Sequence, residues 1–109
     1  MRRLYYSSGS MLTSDEVCEA VLRYARALGK TEDADIIRVP VLTDDGLSGV
    51  AHMLVGPASQ LFSIPAPSLG DEPFDAELID ELNAMTRSLQ PSRPEAEAAR
   101  SDVLDLDMP

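Results

Sequence analysis

Cysteine is nearly missing from this sequence: Cys18 stands alone in 109 residues, so no disulfide can close within the chain. That excludes the small secreted scaffold held by disulfides and points to a reducing, cytoplasmic setting. Histidine is as scarce. With His52 alone and no second His or Cys at ligand spacing, neither a zinc site nor a metal cofactor is expected. Long apolar runs are absent too. Nothing approaches the ~20 residues that cross a bilayer, and Arg2-Arg3 is followed only by Leu4-Tyr5-Tyr6, too short a run for a signal peptide. Positive charge is sparse, with nine Lys and Arg against nineteen Asp and Glu and a net charge of −10. Phosphate backbones and anionic membranes repel such a field, so neither nucleic acid nor membrane is an expected partner. The glycine patterns that cradle nucleotides are missing. Asp44-Asp45-Gly46 resembles the start of a calcium loop, but the twelfth position counted from Asp44 is Val55 and not the required Glu.

What is present suits one small globular domain. Apolar residues make up 44% of the chain, enough for a core at this length. Charge is uneven: residues 1–30 carry five cations and three anions, whereas 71–109 carry three cations and eleven anions. Leu4–Tyr6 reads as a short strand and Ser7-Ser8-Gly9-Ser10 as a Ser/Gly linker. Thr13 and Glu16 have the spacing of a capping box. Behind them Val17, Val21, Tyr24 and Leu28 recur at helical spacing, which predicts a helix over 13–29 stopped by Gly29. Three strands are predicted next, at 34–43, 48–55 and 60–64, with Pro40 marking an edge or a bulge. Asp45-Gly46 reads as a two-residue hairpin turn, a register that sets Val39 opposite His52. One face then carries Ile37, Val39, Val41, Val50, His52 and Leu54; the other carries Ile36, Arg38, Pro40, Leu42, Ala51, Met53 and Val55. Neither is polar, so the face away from the helices needs a cover. Phe74, Leu78, Ile79, Leu82, Met85 and Leu89 predict a second helix over 73–89, with Pro73 in its first turn. Residues 91–109 form a Pro-rich acidic tail that ends in an alternation of Asp with Val103, Leu104 and Leu106.

The expected architecture is therefore α+β: a three- or four-stranded antiparallel meander with two helices on one face, in the order (β)αβββα. The domain spans 1–90 and the tail 91–109. The order helix–strand–strand–strand–helix over about 13–89 resembles that of double-stranded-RNA-binding domains. The likeness is topological and rests on no motif. In that family a basic start of the second helix meets phosphates, whereas here the matching stretch is Asp71-Glu72-Pro73-Phe74-Asp75.

Few residues suggest chemistry. His52, in mid-strand among apolar neighbours, reads as a packed core ring; with nearby carboxylates it would be the base of a small enzyme or ligand site. Cys18, beside the Val17/Val21 stripe, reads as a small buried hydrophobe. Arg2, Arg3, Arg23, Arg26 and Lys30 would bind an anion only if they shared one surface. The preferred reading is a non-enzymatic protein-interaction or regulatory module without cofactor. Its partner is a second copy or another protein, met through the second apolar sheet face. Asp75, Asp80 and Glu81 on the second helix, with Val103, Leu104 and Leu106 of the tail, are the candidate partner-binding residues.

Overall fold

The computed structural model describes residues 1–7, 9–68 and 70–90. In chain order the elements are β1 (Arg2–Tyr6), β2 (Gly9–Thr13), α1 (Asp15–Thr31), β3 (Asp35–Leu42), β4 (Ser48–Val55), β5 (Leu61–Pro65) and α2 (Ala76–Leu89). The α+β class is the expected one. The sheet is larger than expected, with five antiparallel strands in the order β4-β3-β2-β1-β5. The additional strand is β2, which includes part of the stretch read as a linker. Ser7, with φ of 56°, turns the chain so that Gly9–Thr13 folds back on β1. β5 does not continue a meander from β4; it pairs with β1 at the opposite edge. Both departures separate this topology from that of the RNA-binding domains.

Helix ends follow local chemistry. Ser14, not Thr13, caps α1, its hydroxyl accepting from the Val17 amide at 3.4 Å. Thr13 is buried at the end of β2 and donates to the Pro40 carbonyl at 2.8 Å. Gly29 stays inside α1, and the left-handed C-cap falls on Glu32, φ 60°. α2 begins three residues later than predicted because the Asp75 carboxylate accepts from the Leu78 amide at 3.2 Å, and that bond fixes the first turn.

The β3–β4 hairpin corrects the predicted register by one residue. Thr43 donates to Leu47 O at 2.9 Å, Gly46 closes a turn onto Thr43 O at 2.9 Å, and Gly46 takes φ 81°. The loop is thus Asp44-Asp45-Gly46, three residues with glycine in the left-handed position. Val39 now faces Ala51, and Arg38 faces His52. A slip of one residue exchanges faces on the affected strand. Ile37, Val39 and Val41 share the buried side with Ala51, Met53 and Val55, leaving Ile36, Val50, His52 and Leu54 exposed.

β2 overlaps β3 by a single pair, Leu12 with Leu42. Residues that bond β4 alternate with residues whose amides point the other way. Because Thr43 pairs with Leu47, Pro40 falls on the outward-pointing set, so its missing N–H costs the β3–β4 ladder nothing. The sheet is bent around α1. Tyr6 of β1 donates its hydroxyl to the Leu54 carbonyl of β4, though a flat sheet would hold those strands about 14 Å apart. Gly56, just after β4, is closely approached: a Cβ there would lie 3.0 Å from that of Ala34 and 3.1 Å from the Asp33 carbonyl, so both neighbours would have to give way slightly.

Leu4, Val17, Val21, Tyr24, Leu28, Val39, Met53, Val55 and Leu82 form the core. α1 fills the concave side of the sheet. α2 packs chiefly on α1 and runs beside the open stretch of β3, where Leu78, Leu82 and Met85 share a cavity with Asp35–Arg38. From the middle of α1, Tyr24 donates its hydroxyl to Asp35 at 2.5 Å. Burial, then the Asp35 carboxylate, push the Tyr24 hydroxyl up to about 12, above its ordinary value of 10. Because the folded value is the higher one, this contribution to stability is complete below pH 10 and is lost as pH rises through 12. Thermal melts across this range are expected to fall more steeply in the native chain than in Tyr24→Phe. Equal slopes would show that the Tyr24 hydroxyl is not linked to folding.

Candidate functional site

With the register fixed, the face of the sheet turned away from α1 can be read strand by strand. β1 presents Arg3 and Tyr5, and β2 presents Ser10 and Leu12. β3 presents Ile36, Arg38, Pro40 and Leu42 against Ser48, Val50, His52 and Leu54 of β4, and β5 adds Phe62 and Ile64. Not one of these positions is Asp or Glu, in a chain where carboxylates outnumber cations about two to one. Ile36, Val50, Leu54 and Phe62 are each more than half exposed, and Ile64 is 44% exposed. Tyr5 and Phe62 stack with ring centroids 4.5 Å apart, forming a flat aromatic platform at the β1–β5 side. Alternation places these side chains outward because their neighbours Ile37, Ala51, Met53, Val55 and Leu4 are taken by the core.

Charge borders the platform. Arg3 reaches Asp44 of the hairpin loop at 3.7 Å and Ser10 Oγ at 3.1 Å. Arg38 and His52 lie side by side as cross-strand partners. At the β3 margin, Arg38, Pro40 and Val50 share a cavity with Asp75, Glu77, Leu78 and Glu81 of α2. Cations thus stud the face, and α2 supplies a carboxylate rim along one side.

The predicted site residues divide accordingly. Asp75 is the α2 cap and, with Glu81, part of that rim; Asp80 is exposed elsewhere on α2. Val103, Leu104 and Leu106 lie outside the described residues. His52 is not the packed ring that its apolar neighbours suggested. The register turns it to the exposed face, where its partner is a cation, and among the described residues it hydrogen-bonds no carboxylate. Cys18 is fully buried, and burial pushes its thiol above the ordinary value, which suits a small buried hydrophobe. The five N-terminal cations do not share a surface. Arg2 bonds Ser63 on β5 at 2.9 Å and Arg3 lies on the outer face, while Arg23, Arg26 and Lys30 line a groove between α1 and α2. Among the described residues no group of three or more His, Cys, Asp or Glu side chains could hold a metal ion. No helix there is long and apolar enough to cross a membrane.

The sequence carries the apolar signals of the outer face, but a two-residue turn would set Val50 and Leu54 beside Val39, whereas the three-residue loop pairs them with Pro40 and Ile36. Comparison with known proteins adds no relative: no family model, no curated protein and no solved structure matches this chain.

Proposed function

We propose that this chain is a non-enzymatic protein-interaction module whose working surface is the outer face of its sheet, and that the first partner of that face is a second copy of the chain. The observation that carries this reading is the set Ile36, Val50 and Leu54 on the β3–β4 hairpin with Phe62 and Ile64 on β5 at the other edge, large apolar side chains exposed on one sheet face at positions free of carboxylate. Exposed apolar surface has a cost in water of roughly 25 cal/mol per Å² that a docked partner removes. Both signs of charge border the patch. A two-fold arrangement can therefore set the cations of one copy against the rim of the other, the self-complementarity that an isologous interface requires.

Analytical ultracentrifugation of the native chain and of Val50→Asp/Leu54→Asp tests the reading. The native chain is expected at twice 11.8 kDa. The variant is expected at the monomer mass with an unchanged far-ultraviolet circular dichroism spectrum, because both side chains stand in solvent within one copy. A native dimer that tolerates both aspartates would place the interface elsewhere. A native monomer would overturn self-association.

A further inference from the structure

Among the described residues, the groove between the C-terminal halves of the two helices gathers three cations and no carboxylate. Arg23, Arg26 and Lys30 line one side of a cavity of about 210 Å³, with Ala27 of α1 and Thr86 and Leu89 of α2 at its base. Arg23 is partly engaged, by Asn83 at 3.2 Å and Glu19 at 3.5 Å. The ion pairs among the described residues leave Arg26 and Lys30 without a carboxylate. Gln90, the last described residue, also lines this groove, so the chain departs for residues 91–109 from the groove itself.

We propose that residues 102–108 of the same chain, Asp102-Val103-Leu104-Asp105-Leu106-Asp107-Met108, seat in this α1–α2 groove. The segment matches it in both respects. Val103, Leu104 and Leu106 offer apolar side chains to Ala27 and Leu89, and three aspartates meet three cations. The outer sheet face also carries cations, but it is the poorer seat, because Arg3 already pairs with Asp44 and Arg38 lies beside the α2 carboxylates Asp75, Glu77 and Glu81, which repel those aspartates. Length imposes no obstacle. Residues 91–101 can span up to roughly 35–40 Å, and the groove from Arg23 to Lys30 runs about 10 Å along the helix. Attachment also raises the local concentration of the segment to the millimolar range, so a modest affinity fills the site. In this arrangement the tail neutralises the cationic groove and adds a clamp between α1 and α2.

Nitrogen-15 NMR on the full chain tests it with two variants, Leu104→Asp/Leu106→Asp and Arg26→Glu/Lys30→Glu. In the native chain the heteronuclear NOE of residues 103–107 is expected to be that of an ordered segment, and in either variant to fall to less than half. The tail variant is expected to shift the amides of Ala27, Thr86 and Leu89 and to leave those of Val50 and Phe62 in place. All of this is expected to be independent of protein concentration. The tail variant alters no described element, so it remains decisive if charge reversal disturbs α1. A low NOE in the native chain, shifts confined to the outer face, or seating that disappears on dilution would each overturn the proposal. None of these readouts depends on the outer-face reading, whose variants are expected to leave them unchanged.

Discussion

Met53→Asp is expected to abolish cooperative folding, and Leu54→Asp, one residue further along the same strand, to keep a cooperative melt. Met53 is 1% exposed and packs in the core with Val39, Val55 and Leu4, whereas Leu54 is 55% exposed on the opposite face. A carboxylate at position 53 would have to ionise without a partner or fold protonated. Either route costs several kcal/mol, a large part of the about 5–15 kcal/mol that holds a domain of this kind together. At position 54 the substitution removes no core contact, and the carbonyl that receives Tyr6 and Ser59 belongs to the backbone and is retained. The expected change in the fold of a single copy is within about 0.5 kcal/mol, as for exposed positions in general, and any loss of pairing adds a shift that grows with protein concentration. Urea melts followed by circular dichroism separate the two outcomes. A folded Met53→Asp would mean that the register assigned to β4 is wrong by one residue.

Leu82→Ala is the second large effect. Leu82 and Thr86 are the buried residues of α2, and Leu82 is the one that enters the core cluster. Thr86 uses its hydroxyl on the Leu82 carbonyl at 2.8 Å, so it contributes a bond within the helix and not an anchor to the sheet. Truncating a fully buried leucine costs about 2–5 kcal/mol, depending on how far the neighbours collapse. Here the loss falls on the contact of α2 with α1 and the open stretch of β3. Amide exchange is therefore expected to accelerate in α2 well beyond the change in β1 and β5. A loss below about 0.5 kcal/mol would show that α2 is a surface attachment and not part of the core.

Much of this was legible in the sequence wherever one local signal decided the outcome. The Val17/Val21/Tyr24/Leu28 stripe set α1 to within two residues at each end, and the stripe from Leu78 to Leu89 set α2. What the sequence left open depended on a single backbone choice. Asp45-Gly46 fits a two-residue turn as well as the end of a three-residue one. The glycine is left-handed in either case, but the choice moves β4 by one position and exchanges its faces. That exchange turned His52 from an expected core ring into an exposed one. Gly9 and Ser10, the start of β2, resembled part of a linker because Ser and Gly are poor strand formers. The pairing of β2 with β1 is set by the turn at Ser7 and by the burial of Thr13, neither of which has a local signature. The placement of β5 beside β1 is a long-range pairing that no spacing in the sequence announces.

The central claim is that the outer sheet face is where this chain meets a partner, and isotope-filtered NMR on a mixture of labelled and unlabelled copies tests it most directly. Intermolecular NOEs are expected from Ile36, Val50, Leu54, Phe62 and Ile64 in the native mixture. They should vanish in one made from Val50→Asp/Leu54→Asp. Intermolecular NOEs confined to α1 and α2, or none at concentrations where the native chain is a dimer, would contradict the account.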